Sequence, residues 1–425
     1  MSKIIKNYSD LASTDLRKDA LDISEAGLQA IDTEQVLLDA IKVSDGVITV
    51  MGESFTLNDY KNIYIVGFGK VSCTAAATLE TLLQDKVKDG AVIGLKEKTC
   101  AVVDTYAGTH PMPSHYNYTA TKHIMEIAQC ATEQDLVLVI VSGGGSALLC
   151  STMSECDQGK TLYESFLSAG GTIDELNVVR RHISTLKGGG LAKALYPATV
   201  VSLIFSDVPG GDVTTVASGP TFKDLTTVDD AKAIVDKYNL GSFQLVETPK
   251  SDECFEKVHN FTVVSNVIAL EAMQNKAIEL GYKSEIVSAT QYATPEETQA
   301  SLADKNTPNT MYCLGGETKL IIPANCIGKG GRNDYLALVM MDSLEDNQIF
   351  VSLASDGKDN TEAAGALVDQ ETKAKAKSAG LVKEEYTECL NSYPFFDELG
   401  DHIVTGILES NVSDLMFILT SSSEK

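Results

Sequence analysis

Leu136-Val137-Leu138-Val139-Ile140-Val141 contains no polar side chain, and Val200-Val201-Ser202-Leu203-Ile204-Phe205 contains only one. Short apolar runs of this kind read as strands buried on both faces. Amphipathic stretches at helical spacing lie before and between them, such as Tyr118 to Ala131 and Thr172 to Thr185. Apolar strands alternating with such helices imply a parallel sheet covered on both sides. Asn62 to Val66, Ala91 to Leu95 and Cys100 to Val103 add strands, and Lys70 to Leu83 adds a helix. From about Asp10 to Ser44 the pattern is helical throughout.

After Pro220 the pattern weakens, and Leu240 to Glu256 reads as a polar connector. A second α/β set follows. Its strands are expected at Phe261–Val264, Glu285–Val287, Met311–Leu314, Lys319–Ile322, Phe350–Ala354 and Leu415–Leu419. A chain of 425 residues is long for a single core. The expected fold class is α/β with two domains. Residues 1–245 form a Rossmann-like, three-layer, parallel-sheet N-terminal domain, and residues 255–425 a smaller mixed-sheet α/β C-terminal domain. Residues 1–45 are a helical lead-in that is free to pack on the C-terminal domain.

With 34 basic and 59 acidic residues the formal charge is −25. Such a chain is repelled by nucleic acid and by anionic membrane surfaces. No window is long and apolar enough to span a bilayer, and the first residues lack the apolar core of a secretory signal. Nine cysteines are scattered without a Cys-x-x-Cys pair. They are expected to be reduced thiols in a cytoplasmic protein, with Cys73, Cys130, Cys150 and Cys313 as core filler.

The chemistry is expected in loops that follow strands. Gly67-Phe68-Gly69-Lys70 begins like a dinucleotide fingerprint, but Ser72 stands where its third glycine belongs. Lys70, at a strand-to-helix turn, either meets a bound anion or faces solvent. Ser142-Gly143-Gly144-Gly145-Ser146 can converge backbone N–H groups on an anion, or can serve only as a tight packing turn. It is neither a Walker A loop nor a nucleophile elbow. Asn177, Arg180, Arg181, His182 and Lys187 precede Gly188-Gly189-Gly190. They are a ligand-binding cluster or the basic last turn of a helix. Ser206-Asp207-Val208-Pro209-Gly210-Gly211-Asp212 carries two carboxylates suited to Mg²⁺, or to a turn and a helix cap. Glu317 in Gly315-Gly316-Glu317-Thr318, Arg332 in Gly328-Lys329-Gly330-Gly331-Arg332-Asn333, and Asp356 in Ser355-Asp356-Gly357 continue the series.

Taken in order, together with His110-Pro111-Met112-Pro113, Ala217-Ser218-Gly219-Pro220-Thr221 and Asn411-Val412-Ser413-Asp414-Leu415, these strings resemble the type II glycerate kinases, whose C-terminal half is the MOFRL domain. The likeness runs from about Gly67 to about Leu415. It implies ATP-dependent phosphorylation of D-glycerate, most often at the 2-hydroxyl, with Mg²⁺, in a cleft between a Rossmann-like domain and a smaller mixed domain. It also implies a functional lysine at Lys70 and a functional arginine at Arg332. On this reading both stabilise the transferring phosphoryl group. Ser142, Gly143, Gly144, Gly145 and Ser146 hold phosphate, and Asp207 and Asp212 hold the metal. Arg180 or Lys187 takes the glycerate carboxylate, with Asn177, Glu317 and Asp356 lining the site. The assembly is left open to a homodimer.

The chain departs from the family pattern in places. Asp334-Tyr335 stands for Gln-Glu, Ala354-Ser355 for Gly-Thr, and Ile407 to Ser410 for Pro-Thr-Gly-Thr. Two other functions compete. One is a hydroxypyruvate reductase, which Ser72 disfavours. The other is a non-catalytic protein that binds a sugar acid or a nucleotide.

Overall fold

The computed structural model describes residues 3–210, 212–322 and 328–422. Met1, Ser2 and Gly211, which belong to segments discussed above, lie outside the described residues. The chain divides into two compact units. One comprises Thr33–Ser206 and Asp212–Val263; the other comprises Met1–Asp32, a short segment starting at Asp207, and Val264–Lys425.

The first unit opens with a small antiparallel sheet of β1 (Ile41–Ser44), β2 (Val47–Val50) and β3 (Glu53–Thr56). The continuous helical pattern expected up to Ser44 therefore stops at Ala40. The reason is the Asp45-Gly46 turn, with φ of +51° and +75°, which is the backbone a two-residue hairpin requires.

The main sheet of this unit has the order β6-β5-β4-β7-β8-β9. The strands are β4 (Asn62–Phe68), β5 (Val87–Gly94), β6 (Val103–Ala107), β7 (Asp135–Ser142), β8 (Thr199–Phe205) and β9 (Val258–Val264). The pairs β4–β5, β5–β6, β4–β7 and β7–β8 are parallel. All eight residues of β7 are buried, as a fully apolar run demands. The chain winds outward from β4 through β5 to β6, then returns to β7 on the other side of β4. That reversal opens a crevice beyond the carboxyl ends of β4 and β7, the position where open α/β sheets take ligands.

Two strand expectations are corrected here. Residues 100–102 are not strand, because Ala101 and Val102 donate their N–H groups to the Glu80 carboxylate at 2.7 and 2.8 Å. Phe261–Val264 belongs to this first sheet rather than to the second set, since β9 hydrogen-bonds at the edge beside β8.

The cysteine expectation also changes. Cys150 and Cys156 form a disulfide, with Cα atoms 5.8 Å apart. Thr152 caps the helix Met153–Ala169 and turns the chain so that Cys156, in its first turns, comes back toward Cys150. Cys73, Cys100, Cys130, Cys254, Cys313 and Cys389 form no disulfide.

The second unit is built on a mixed sheet of order β10-β11-β15-β12-β13-β14. Its strands are β10 (Lys283–Gln291), β11 (Thr310–Gly316), β12 (Gln348–Ala354), β13 (Gly365–Val368), β14 (His402–Ile403) and β15 (Asp414–Thr420). Only β10–β11 is parallel; the other pairs are antiparallel. The last strand in the chain, β15, is inserted centrally. Residues 319–322, expected as a strand, are irregular, and Ile321 and Ile322 are about three-quarters exposed (74% and 73%). An apolar run with no sheet partner stays out of the core.

The first 32 residues are part of this unit. The helix Asp15–Gln29 packs so closely on the helix Asn266–Glu279 that a Cβ at Gly27 would lie 2.8 Å from Met273. Arg17 is fully buried. Its guanidinium donates to Asp369 at 2.7 Å and to Asp401 at 2.8 Å. Removing it would leave Asp369 buried without its cation and Asp401 with Lys375 alone, at a cost of about 3–5 kcal/mol. Among the described residues no helix is long and apolar enough to cross a membrane.

Candidate active site

At the carboxyl ends of β4 and β7 two loops are stitched together. Lys70 donates its N–H to Gly143 O at 2.9 Å, and Val71 donates to Ser142 Oγ at 3.4 Å. Gly69 has φ of +121°, and a Cβ there would collide with Ser142. The space that a dinucleotide fingerprint keeps open for pyrophosphate is thus filled by the neighbouring strand end. This physical reason, added to Ser72, counts against a nicotinamide site in this loop.

Gly144 adopts φ of +80°. A Cβ on it would lie 3.2 Å from His110 Cδ2 and Nε2, and 3.3 Å from Lys70 Cγ. Lys70 and His110 therefore both rest on one glycine. His110 is held there through its neighbour: Asn117 accepts from Thr109 N at 3.0 Å and donates to Thr109 O at 3.0 Å. The same amide donates to Ala147 O at 3.1 Å and so ties the His110 segment to the glycine loop.

The segment from Asn177 to Lys187 is divided by the fold. The helix Ile173–His182 starts at a capping box of Thr172 and Glu175 and carries Arg180, Arg181 and His182 in the last turn. Arg181 pairs with Asp224 at 3.0 Å. His182 is buried, with Nδ1 2.9 Å from Val246 O. Only Arg180 turns toward the glycine loop, where it lines a small cavity of 30 Å³ with Ser146, Tyr163 and Pro111. Burial pulls its guanidinium below the ordinary value, with Tyr163 opposing. Lys187 borders the same cavity, but its ammonium donates to Glu155 at 2.6 Å and to Leu149 O at 2.8 Å. Burial pushes Glu155 up, yet Lys187 outweighs it and holds the carboxyl below its usual range. Of the two cations expected to compete for a carboxylate, Lys187 is already committed.

Asn177 contributes through a relay. Ser218 Oγ donates to Asn177 Oδ1 at 3.1 Å and lies 2.9 Å from Ser146 Oγ. A hydroxyl has one proton. Ser218 spends it on Asn177, so Ser146 must donate to Ser218. Ala217 and Ser218 hold φ of +51° and +62°. That conformation costs a non-glycine residue about 1 kcal/mol each. This strained turn packs against the glycine loop, where a Cβ on Gly145 would lie 2.6 Å from Ala217. The Ser218 contribution was missed in the sequence, where only its place in Ala217 to Thr221 was visible.

Asp212 caps the turn Val213–Ser218, with Oδ1 accepting from Thr214 N at 3.1 Å. Among the described residues no group of three or more His, Cys, Asp or Glu could hold a metal ion. Asp212 is exposed, and its hydrogen bonds go to Oδ1. One open carboxylate suits a Mg²⁺ that arrives with phosphate oxygens of its own. Asp207 is half-buried and groups with the second unit.

In the second unit Arg332 is the first residue of the helix Arg332–Met340. Its Nε and Nη2 bind the two oxygens of Asp414, the latter at 3.1 Å, and Nη1 reaches Glu317 at 3.1 Å. Asp359 accepts from the N–H groups of Asn333 and Asp334 at 2.8 and 3.1 Å. Burial, Asp334 and Asp414 push Asp359 up to about 7. Burial also raises Asp414 to about 6 despite Arg332. A cavity of 100 Å³ is lined by Arg332, Asp356, Asp359, Asn411 and Asp414. Asp356 accepts from Asn411 Nδ2 at 3.0 Å.

The sequence matches the family described as a domain of unknown function, DUF4147, over residues 19–248, and the MOFRL family over residues 310–414. It is 33% identical to a protein from Pyrococcus horikoshii named glycerate 2-kinase, over 95% of this chain and 98% of that one. It is also 33% identical to a protein from Agrobacterium vitis whose name provisionally assigns a hydroxypyruvate reductase, over 84% of this chain and 86% of the other. The crystal structure of a glycerate kinase from Thermotoga maritima matches with a TM-score of 0.84 at 27% identity, over 95% of this chain and 99% of that one.

Proposed function

Because this chain belongs to the glycerate kinase family marked by the DUF4147 and MOFRL regions, we propose that it transfers the γ-phosphoryl group of ATP to D-glycerate, giving 2-phosphoglycerate. The observation that carries this reading is a pair of cations with no anion of their own. Among the described residues no carboxylate lies within 4.0 Å of Lys70 or Arg180, although both are half-buried beside the glycine loop. In a chain of charge −25, two such cations are arranged for an anionic ligand.

In this proposal Lys70 and the Ser142–Ser146 loop hold the transferring phosphoryl group, where charge spreads over its oxygens. Arg180 takes the glycerate carboxylate, since Lys187 is occupied by Glu155. The Asn177–Ser218–Ser146 relay orients the Ser146 hydroxyl. Arg332, steered by Asp414 and Glu317, acts on the same phosphoryl group from the second unit, and Asp356 lies on the same wall of that unit's cavity. Asp212 and Asp207 are the protein carboxylates that would hold a Mg²⁺ brought in with ATP, and that ion would neutralise phosphate charge.

The test is direct. D-glycerate with Mg·ATP should yield ADP, and phosphorus NMR of the product should show the 2-phosphate ester. Hydroxypyruvate with NADH should leave the nicotinamide absorbance unchanged. NADH consumption with no ADP formed would overturn the kinase reading in favour of the reductase.

A further inference from the structure

The His110-Pro111-Met112-Pro113 string has no part in the reaction as described so far. Resting on the kinase reading above, we propose that His110 is the general base that takes the hydroxyl proton of the phosphate acceptor.

Position comes first. The His110 ring lies on the glycine loop, 3.2 Å from where a Gly144 Cβ would stand, with Nε2 among the nearest atoms. Lys70 borders the same point at 3.3 Å. The residue is exposed, so a small substrate can reach it. Among the described residues its ring makes no hydrogen bond or ion pair within the protein, and the Asn117 clamp on Thr109 fixes the segment that carries it. A histidine held firmly through its neighbour, with both ring nitrogens unspent, is unlike the other buried or clamped histidines here. His182 and His123, for example, both spend Nδ1 on protein partners.

Charge comes second. The groups facing His110 are Lys70, at the end of β4, and Arg180, on the helix Ile173–His182; partial burial and these two cations all push the imidazole below its ordinary value. It is therefore neutral at pH 7, with a lone pair to accept a proton. Two flanking cations alone would make it a weak base. Bound ligands change this, because phosphate offsets Lys70, the glycerate carboxylate offsets Arg180, and the imidazole becomes a stronger base.

The step balances. The acceptor O–H bond breaks as the new O–P bond forms and the bond from the γ-phosphorus to the bridging oxygen of ADP breaks. The proton goes to His110 Nε2 and from there to water, so the products are phosphoglycerate, ADP and one proton. No further co-reactant is required.

The test uses the full chain with His110→Ala and His110→Gln, compared with wild type by steady-state kinetics across pH, with a thermal melt of each as the folding control. The glutamine variant keeps bulk and polarity if the alanine variant fails to fold. The expected result is a loss of about 100-fold in kcat for both variants with little change in KM. The acid limb of the wild-type kcat/KM profile should flatten, and added imidazole should restore part of the lost kcat in the alanine variant only. Variants that keep wild-type kcat would overturn the assignment. So would variants that raise KM for glycerate while the acid limb persists, since His110 would then only bind. A wild-type chain that forms no glycerate-dependent ADP fails the kinase reading itself, and this inference with it; an active wild type with active variants fails this inference alone.

Discussion

Lys70 and Arg180 stand beside the glycine loop with no carboxylate in ion-pair range among the described residues, whereas Arg332 holds Asp414 on two nitrogens and Glu317 on a third. The two regions carry the same kind of charge for what we propose is one reaction, yet they are prepared differently. In the first unit the cations are presented by backbone: a strand end, a helix last turn and a glycine that needs its positive φ. The binding charge is unspent and costs the folded protein little. In the second unit the cation is held by Asp414, at 1% exposure, and by the more exposed Glu317. Its direction is fixed in advance, but any ligand must compete with Asp414. Removing a cation should therefore affect function and stability separately in the first unit and together in the second.

The largest expected effect is on function alone. Lys70→Ala should lower kcat/KM by about 1000-fold while leaving the melting temperature close to wild type. A drop in melting temperature would mean that Lys70 has a structural partner and would erase the contrast. Arg332→Ala should lose activity and also destabilise the fold by about 2–3 kcal/mol in urea unfolding, a figure discounted because the arginine is partly exposed. An unchanged unfolding curve would show that Asp414 does not depend on it.

Lys187→Met tests the reverse assignment within the first unit. It should cost about 3 kcal/mol of stability by stranding Glu155, and KM for glycerate in the folded fraction should stay within a few-fold. A large rise in KM with intact stability would return Lys187 to the carboxylate site.

Asp359 gives a smaller effect that depends on pH. A carboxyl raised to about 7 binds a proton in the folded chain across a range where the unfolded chain has released it. Stability that rests on this group is present at acidic pH and is lost as pH rises from about 4 through about 7. Asp359→Asn should remove that slope and be more stable than wild type by about 1–2 kcal/mol at pH 8. Unfolding curves at pH 5 and pH 8 decide it; parallel slopes for both proteins would refute it. The smallest effect is expected from Ser218→Ala, which breaks the relay to Ser146: KM for ATP should rise a few-fold, by about 1 kcal/mol or less.

Much of this was legible in the chain. The run Leu136–Val141 is apolar without interruption, so β7 could only be a central strand. Gly144 and Lys70 sit at strand-to-helix turns, and that placement was visible from the strands alone. The Asp45-Gly46 hairpin was legible too, from an Asp-Gly pair between apolar residues, but helical spacing masked it. Other features had no local signal. Glu80 reaches across to Ala101 and Val102 and removes the start of a strand. Lys187 meets Glu155 from 32 residues away, a pairing that the local sequence does not announce. Val258–Val264 joins the first sheet although it lies beyond the connector, because pairing at an open edge does not follow chain order.

By itself the sequence determined the α/β class, the ordered loop motifs and the family. These rest on hydrophobic period and on glycine positions, both of which act over a few residues. Only the tertiary structure decided which cations are spent and which are left for a ligand. Arg180 and Arg181 are adjacent in sequence, yet helix geometry sends one to the glycine loop and the other to Asp224. A charge is available or neutralised according to what lies within about 4 Å of it, and that distance is set by contacts between segments far apart in the chain.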